Sequence, residues 1–123
     1  MNKMKKIIIQ DKSFNFSLKI IKLYKLLQAE KEFVLSNQLL RSATSIGANI
    51  EEAIGGISKR DFIAKLSISS KEARETKYWL NIYKYGDLTK IEVDDEIKEI
   101  EEILKILTSI IKSSQESLNK NNS

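Results

Sequence analysis

Apolar side chains recur along this chain at steps of three and four, the spacing that gathers them on one face of an α-helix, and four such runs can be followed. In the first, Phe16, Ile20, Leu23 and Leu27 form a stripe with Phe14, Leu18 and Ile21 beside it. The pattern predicts a helix over about residues 14–28, with Ser13 as its N-cap. The second run is Leu35, Leu39, Ala43, Ile46, Ile50 and Ala53, predicting a helix over 34–54. Ser42, Ala43, Ser45, Gly47 and Ala48 strip bulk from much of its remaining circumference. Small side chains let neighbouring helix axes approach closely, so this element is expected at the centre of the packing. Gly55-Gly56 ends it, since glycine reaches the left-handed conformation without a steric cost.

Ser58 then caps a third helix, with Asp61 at the capping-box position. Its seam over 59–85 is Phe62, Leu66, Ser69, Ala73, Thr76, Leu80 and Tyr83, large at the ends and small between, which predicts a close crossing at mid-helix. Gly86 supplies the stop. A fourth helix over about 95–114 begins near Asp94 or Asp95, with Glu96, Glu99, Glu101 and Glu102 in its early turns, where negative charge suits the helix dipole. Ile97, Ile100, Ile103, Leu104, Ile106, Leu107, Ile110 and Ile111 cover close to half its circumference, wider than the stripe of about 100° that one bundle needs. The surplus predicts burial against another subunit, with fuller wrapping inside a bundle of uneven helix lengths as the alternative. Residues 1–12 and 116–123 are expected to be flexible ends. Short connections between neighbours predict an all-α, antiparallel up-down-up-down four-helix bundle forming a single domain.

Composition narrows the chemistry. Pro is absent and Gly occurs four times in 123 residues, which allows long uninterrupted helices. The lack of Cys excludes disulfides and thiolate metal sites, and the lack of His removes the commonest metal ligand and general base. The apolar run Ile7-Ile8-Ile9 is too short for a signal-peptide core and no run suits a membrane helix, so a cytoplasmic location is expected. Charge is uneven: residues 1–90 carry a balance of +8 and residues 91–123 one of −4. An anionic partner for the basic part is one explanation, and ordinary solubility of helix surfaces is the other.

Catalytic signals are weak. Gly55-Gly56 lacks the Lys-Ser/Thr of a phosphate-binding loop, no Ser-x-x-Lys occurs, and the serines have no histidine to activate them. Glu51, Glu52, Glu72 and Glu75 invite comparison with di-metal carboxylate sites, but those pair Glu with His one turn on. No catalytic residue, cofactor or metal is therefore assigned. The third helix offers more. Arg60, Ser67, Lys71, Arg74 and Tyr78 fall within about 40° of one line at about 100° per residue. Lys59, Lys65, Lys77 and Lys84 flank them. Cations, hydroxyls and a tyrosine in one row can track a phosphate backbone and stack a base. Lys71–Glu75 at i,i+4 and Asp61 beside Arg60 would neutralise part of that row. Trp79 is read as a packing or oligomer contact, and Asn49 as a hydrogen-bonder between packed helices.

Four stretches together resemble the small bacterial four helix bundle family, first noticed as proteins encoded within 23S ribosomal RNA intervening sequences. They are Gln38-Leu-Leu-Arg-Ser-Ala-Thr-Ser-Ile-Gly-Ala-Asn-Ile-Glu-Glu-Ala53, Ser58-Lys-Arg-Asp-Phe62, Ser70-Lys-Glu-Ala-Arg-Glu-Thr-Lys-Tyr-Trp-Leu80 and Lys105-Ile-Leu-Thr-Ser-Ile-Ile-Lys112. The resemblance spans about Phe14–Ser114, with Gly47 where the family often has proline and Ala53 where it often has glycine. It implies an antiparallel bundle assembled into a ring-like homo-oligomer, a pentamer. Related accessory proteins of diversity-generating retroelements form such a barrel and associate with nucleic acid and a reverse transcriptase. The resemblance carries over no catalytic residue. It implies an anionic contact for Arg41, with ion pairing to Glu52 or Glu72 as the competing role. The expected function is thus a non-enzymatic, homo-oligomeric accessory or scaffold protein binding RNA or DNA through Arg41, Arg60, Lys71, Arg74 and Lys77. The rival is a protein–protein interaction module whose basic face serves solubility alone.

Overall fold

The computed structural model describes residues 3–121 and consists of α1 (Lys3–Ala29), α2 (Val34–Ile54), α3 (Lys59–Tyr85) and α4 (Asp94–Asn121). Side-chain contacts fix the relative directions. Ser42 meets Thr76 and the Ile46 carbonyl meets Ser69, so α2 rises as α3 falls. Lys12 pairs with Glu102 and Lys19 with Glu99, Lys77 with Glu101 and Lys84 with Asp94, giving the same opposition for α1–α4 and α3–α4. Gln10 with Glu51 and Gln28 with Ser36 do so for α1–α2. The helices adjoin in chain order around the bundle and α4 closes it against α1, so α1 and α3 stand diagonally opposed.

The core follows the predicted seams. Leu39, Ala43, Ile46, Ile50 and Ala53 of α2 are buried, as are Leu66, Ser69, Ala73, Thr76, Leu80 and Tyr83 of α3. Burying one large aliphatic or aromatic side chain stabilises by about 1.5–3 kcal/mol, so these seams supply most of the driving force. The small middle of α2 makes the expected close crossings. Ser69 Oγ donates across to the Ile46 carbonyl at 2.8 Å, and Thr76 Oγ1 donates to Ser42 Oγ at 2.8 Å. On the other flank Gly47 faces Ser13, where a Cβ would lie 3.4 Å from Ser13 Oγ, an ordinary packing contact.

Both outer boundaries differ from the expectation. Residues 3–12 are helical, and α4 runs on to Asn121; residues 1, 2, 122 and 123 of the expected flexible ends lie outside the described residues. Ser13 caps nothing: it is buried inside α1 and donates to the Gln10 carbonyl at 3.1 Å. Ile9, Ser13, Phe16, Ile20, Leu23 and Leu27 form one buried seam in steps of four and three. Ser114 plays the same part in α4, buried one step beyond Ile110, and Lys59 Nζ donates to Ser117 Oγ at 2.6 Å.

The turns also depart in detail. Gly55 and Gly86 end their helices with negative φ (−81° and −89°), not in the left-handed region. Among the described residues only Lys31 (φ 63°) and Asp87 (φ 55°) lie there. What excludes a side chain at Gly56 is space, because a Cβ would strike the Asp61 carboxylate and come within 3.0 Å of the Ala53 carbonyl. Ser58 caps α3 by accepting from the Asp61 amide at 3.0 Å. The start of α2 is capped by Glu32, whose carboxylate accepts from the Leu35 and Ser36 amides at 3.3 and 3.0 Å and from the Tyr83 hydroxyl. Burial, then the Glu32 contact, pushes the Tyr83 phenol far above its ordinary range, so it stays a donor.

The apolar surplus of α4 is largely absorbed within the protomer. Leu104, Ile106 and Ile111 are partly buried against the core, and the first turns of α1 reach α4 where Ile8 lies beside Ile106. Exposed apolar side chains gather instead on α1, where Met4, Ile7, Phe14 and Leu18 face away from its buried seam.

Candidate nucleic-acid interface

The five cations singled out in the sequence do not form one surface. Arg41 is committed to neighbouring carboxylates: its guanidinium donates to Gln38 at 3.1 Å and to Glu72 at 3.2 Å, and pairs closely with Glu75. This resolves the competing role anticipated for it in favour of Glu72, with Glu75 added. Lys77 turns toward α4 and approaches Glu101 at 3.9 Å. Both cations thus have carboxylate partners within the protomer. Of the four glutamates considered as a metal site, Glu51 accepts from Gln10 while Glu72 and Glu75 share Arg41. Among the described residues no cluster of acidic side chains is arranged to hold a metal.

The Arg41 clamp determines the state of the remaining row. The expected Lys71–Glu75 pair is not made, because the Glu75 carboxylate is taken by Arg41 and by Trp79 Nε1 at 3.0 Å. Asp61 faces the turn at Gly56, not Arg60. Among the described residues, Arg60, Lys71 and Arg74 make no ion pair, and all three are exposed. Asn49 bonds its own helix, Nδ2 donating to the Ser45 carbonyl at 2.8 Å, not a neighbouring one. Trp79 is half-buried against the core, with the Tyr78 ring edge-on to it at 5.2 Å.

Between α3 and α4, two of these cations border a groove of about 420 Å³. Lys71 and Arg74 stand on the α3 rim and Lys112 on the α4 rim, with the Ser67, Ser70 and Thr108 hydroxyls between them. Gln115 also lines a second hollow of about 470 Å³, where Arg60 faces Leu118 and Asn119. The two hollows share Gln115 and follow one another along α3 and α4 as the two parts of a trough, and no carboxylate lines either. The α1–α4 groove is the contrast: Lys12–Glu102 at 3.2 Å and Lys19–Glu99 at 3.0 Å balance it, and the Glu99 hydrogen bond holds the Lys19 ammonium above its usual range. A balanced groove has no net pull on a polyanion; an acid-free one does.

The α4 wall was not legible as a site. Lys112 lay at the end of a family-like stretch, and Gln115, Leu118 and Asn119 in or beside the expected polar tail. Continuation of the seam through Ile110 and Ser114 was the signal that would have kept the helix going.

The family model of the 23S rRNA-intervening sequence protein matches residues 5–109. The chain belongs to the 23S rRNA-intervening sequence protein family. A solved structure of an S23 ribosomal protein family member of unknown function from Bacteroides thetaiotaomicron is similar to it, at 47% identity and a TM-score of 0.81. The alignment covers 88% of this chain and 98% of that one. No curated protein matches. In this member of the 23S rRNA-intervening sequence family the match takes in the whole α3 wall of the trough, while Lys112, Gln115 and Asn119 lie beyond it. No described helix is long and apolar enough to cross a membrane.

Proposed function

We infer that this family member is a non-enzymatic, homo-oligomeric bundle that binds nucleic acid through the α3–α4 trough and serves as an accessory or scaffold for a larger nucleic-acid assembly. The observation that carries the reading is the acid-free lining: Arg60, Lys71, Arg74 and Lys112 border it, while Arg41 draws Glu72 and Glu75 to the opposite flank of α3. Four cations along two rims suit a chain of phosphates, whose condensed counterions are released on contact. The hydroxyls between them can donate to phosphate oxygens without reading sequence. Oligomerisation is supported by the exposed apolar face of α1, and a pentamer is the assembly that the resemblance implies.

The test is binding to mixed-sequence oligonucleotides across a salt series. Affinity is expected to fall steeply as salt rises, and Lys71→Glu with Arg74→Glu is expected to reduce the log–log slope by roughly 1–2. Absence of binding at low salt, or a slope indifferent to the double reversal, would leave the basic face as a solubility feature and favour the interaction-module reading.

A further inference from the structure

We propose that the α3–α4 trough takes a single-stranded nucleic acid in preference to a duplex, phosphates on its two cationic rims and base faces against its apolar floor. The proposal rests on the nucleic-acid reading above and narrows it to one class of ligand.

Three features point this way. The first is dimension. Arg60 and Arg74 lie about 21 Å apart along α3 at about 1.5 Å per residue, so the trough is long enough for several nucleotides. Its rims belong to adjacent packed helices, whose axes lie about 8–10 Å apart, narrower than a whole duplex. One backbone can lie between such rims, whereas a duplex must ride on top of them. The second is the floor. Ile63, Ile111 and Leu118 give it an apolar base, which suits unpaired base faces and gains nothing from a duplex whose bases are turned inward. The third is Tyr78, 58% exposed one turn beyond Arg74 on the same line of α3, where its ring can stack on a base leaving the trough. A surface meant only for duplex phosphates needs neither the apolar floor nor the ring.

Fluorescence anisotropy with a labelled mixed-sequence strand of about sixteen nucleotides, alone and annealed to its complement, tests the preference in RNA and in DNA. The single strand is expected to bind about tenfold more tightly than its duplex. Ala64→Leu with Ser67→Leu, both at exposed positions, fills the trough without changing charge and is expected to bring the two affinities within about twofold. Tyr78→Ala is expected to weaken the single strand about fivefold and leave the duplex unchanged. Thermal melts of the variants establish that each is folded. Equal affinity of wild type for strand and duplex, or a preference that survives both variants, overturns the proposal while leaving nucleic-acid binding intact. If neither ligand binds at low salt, the broader reading falls with it.

Discussion

Hydroxyl side chains do much of the packing in this bundle. Ser13, Ser36, Ser42, Ser69, Thr76 and Ser114 are all buried, and no buried side-chain nitrogen or oxygen among the described residues lacks a partner. Their small volume permits the close helix approach, and the hydroxyls of Ser13, Ser36, Ser42, Ser69 and Thr76 donate to carbonyls or to one another, which removes most of the desolvation cost. Thr76 Oγ1 lies 2.8 Å from both Ser42 Oγ and the Glu72 carbonyl, two acceptors within reach of its one proton. Thr76→Val keeps the shape and removes the hydroxyl. It is expected to lower stability by about 1 kcal/mol, with part of the loss recovered when Ser42→Ala is added. Denaturant titrations of the two single variants and the double variant, at one protein concentration, check this.

At the scale of the helices, the inner boundaries were legible and the outer ones were not. Gly56, Ser58 and Gly86 punctuate α2 and α3: a Cβ would be crowded at both glycines, and the Ser58 side chain caps α3. Ser13 misled because a serine before an apolar run reads as a cap, and Ser114 because it precedes a polar stretch, whereas here each fills a buried seam position. The α3 wall of the trough was legible from angular position on one helix. The carboxylate partners of Arg41 and Lys77 were not all legible by the same logic, since a helix projection says nothing of the carboxylates a neighbour offers. The junction of α3 and α4 makes that dependence measurable. Lys84 holds Asp94 at 2.8 Å, and the hydrogen bond keeps the Asp94 carboxyl below its ordinary value of 3.8. A carboxyl depressed in the folded state contributes stability above its unfolded pKa and loses it as pH falls through the folded one. The acid limb of the melting curve is therefore expected to shallow in Asp94→Asn, with the profile near neutrality shifted only slightly because the pair is exposed. A melting temperature equally steep in acid for both proteins would assign the acid sensitivity elsewhere.

For the whole molecule, α1 is the element with two apolar faces. Its seam is buried in the bundle, and Met4, Ile7, Phe14 and Leu18 are exposed at 64%, 43%, 64% and 45% on the other side. A helix apolar on both sides is ordinarily buried on both. Phe14→Glu with Leu18→Glu is expected to shift the sedimenting mass from a multiple of the protomer toward 14.1 kDa, with helicity retained because neither side chain enters the core. A wild type that already sediments at the protomer mass at micromolar concentration removes the assembly and the role proposed for this face.

The diagonal placement of α1 and α3 then sets how the assembly would meet its ligand. Copies joined through α1 would turn their troughs away from the joint, so that several equivalent grips point outward at fixed intervals. A strand long enough to reach a second grip would find it at high effective concentration, and its residence time would grow with length without any new kind of contact. Fragments shorter than one grip would exchange freely, and the particle would act as a spool, sorting polymers by how far they extend.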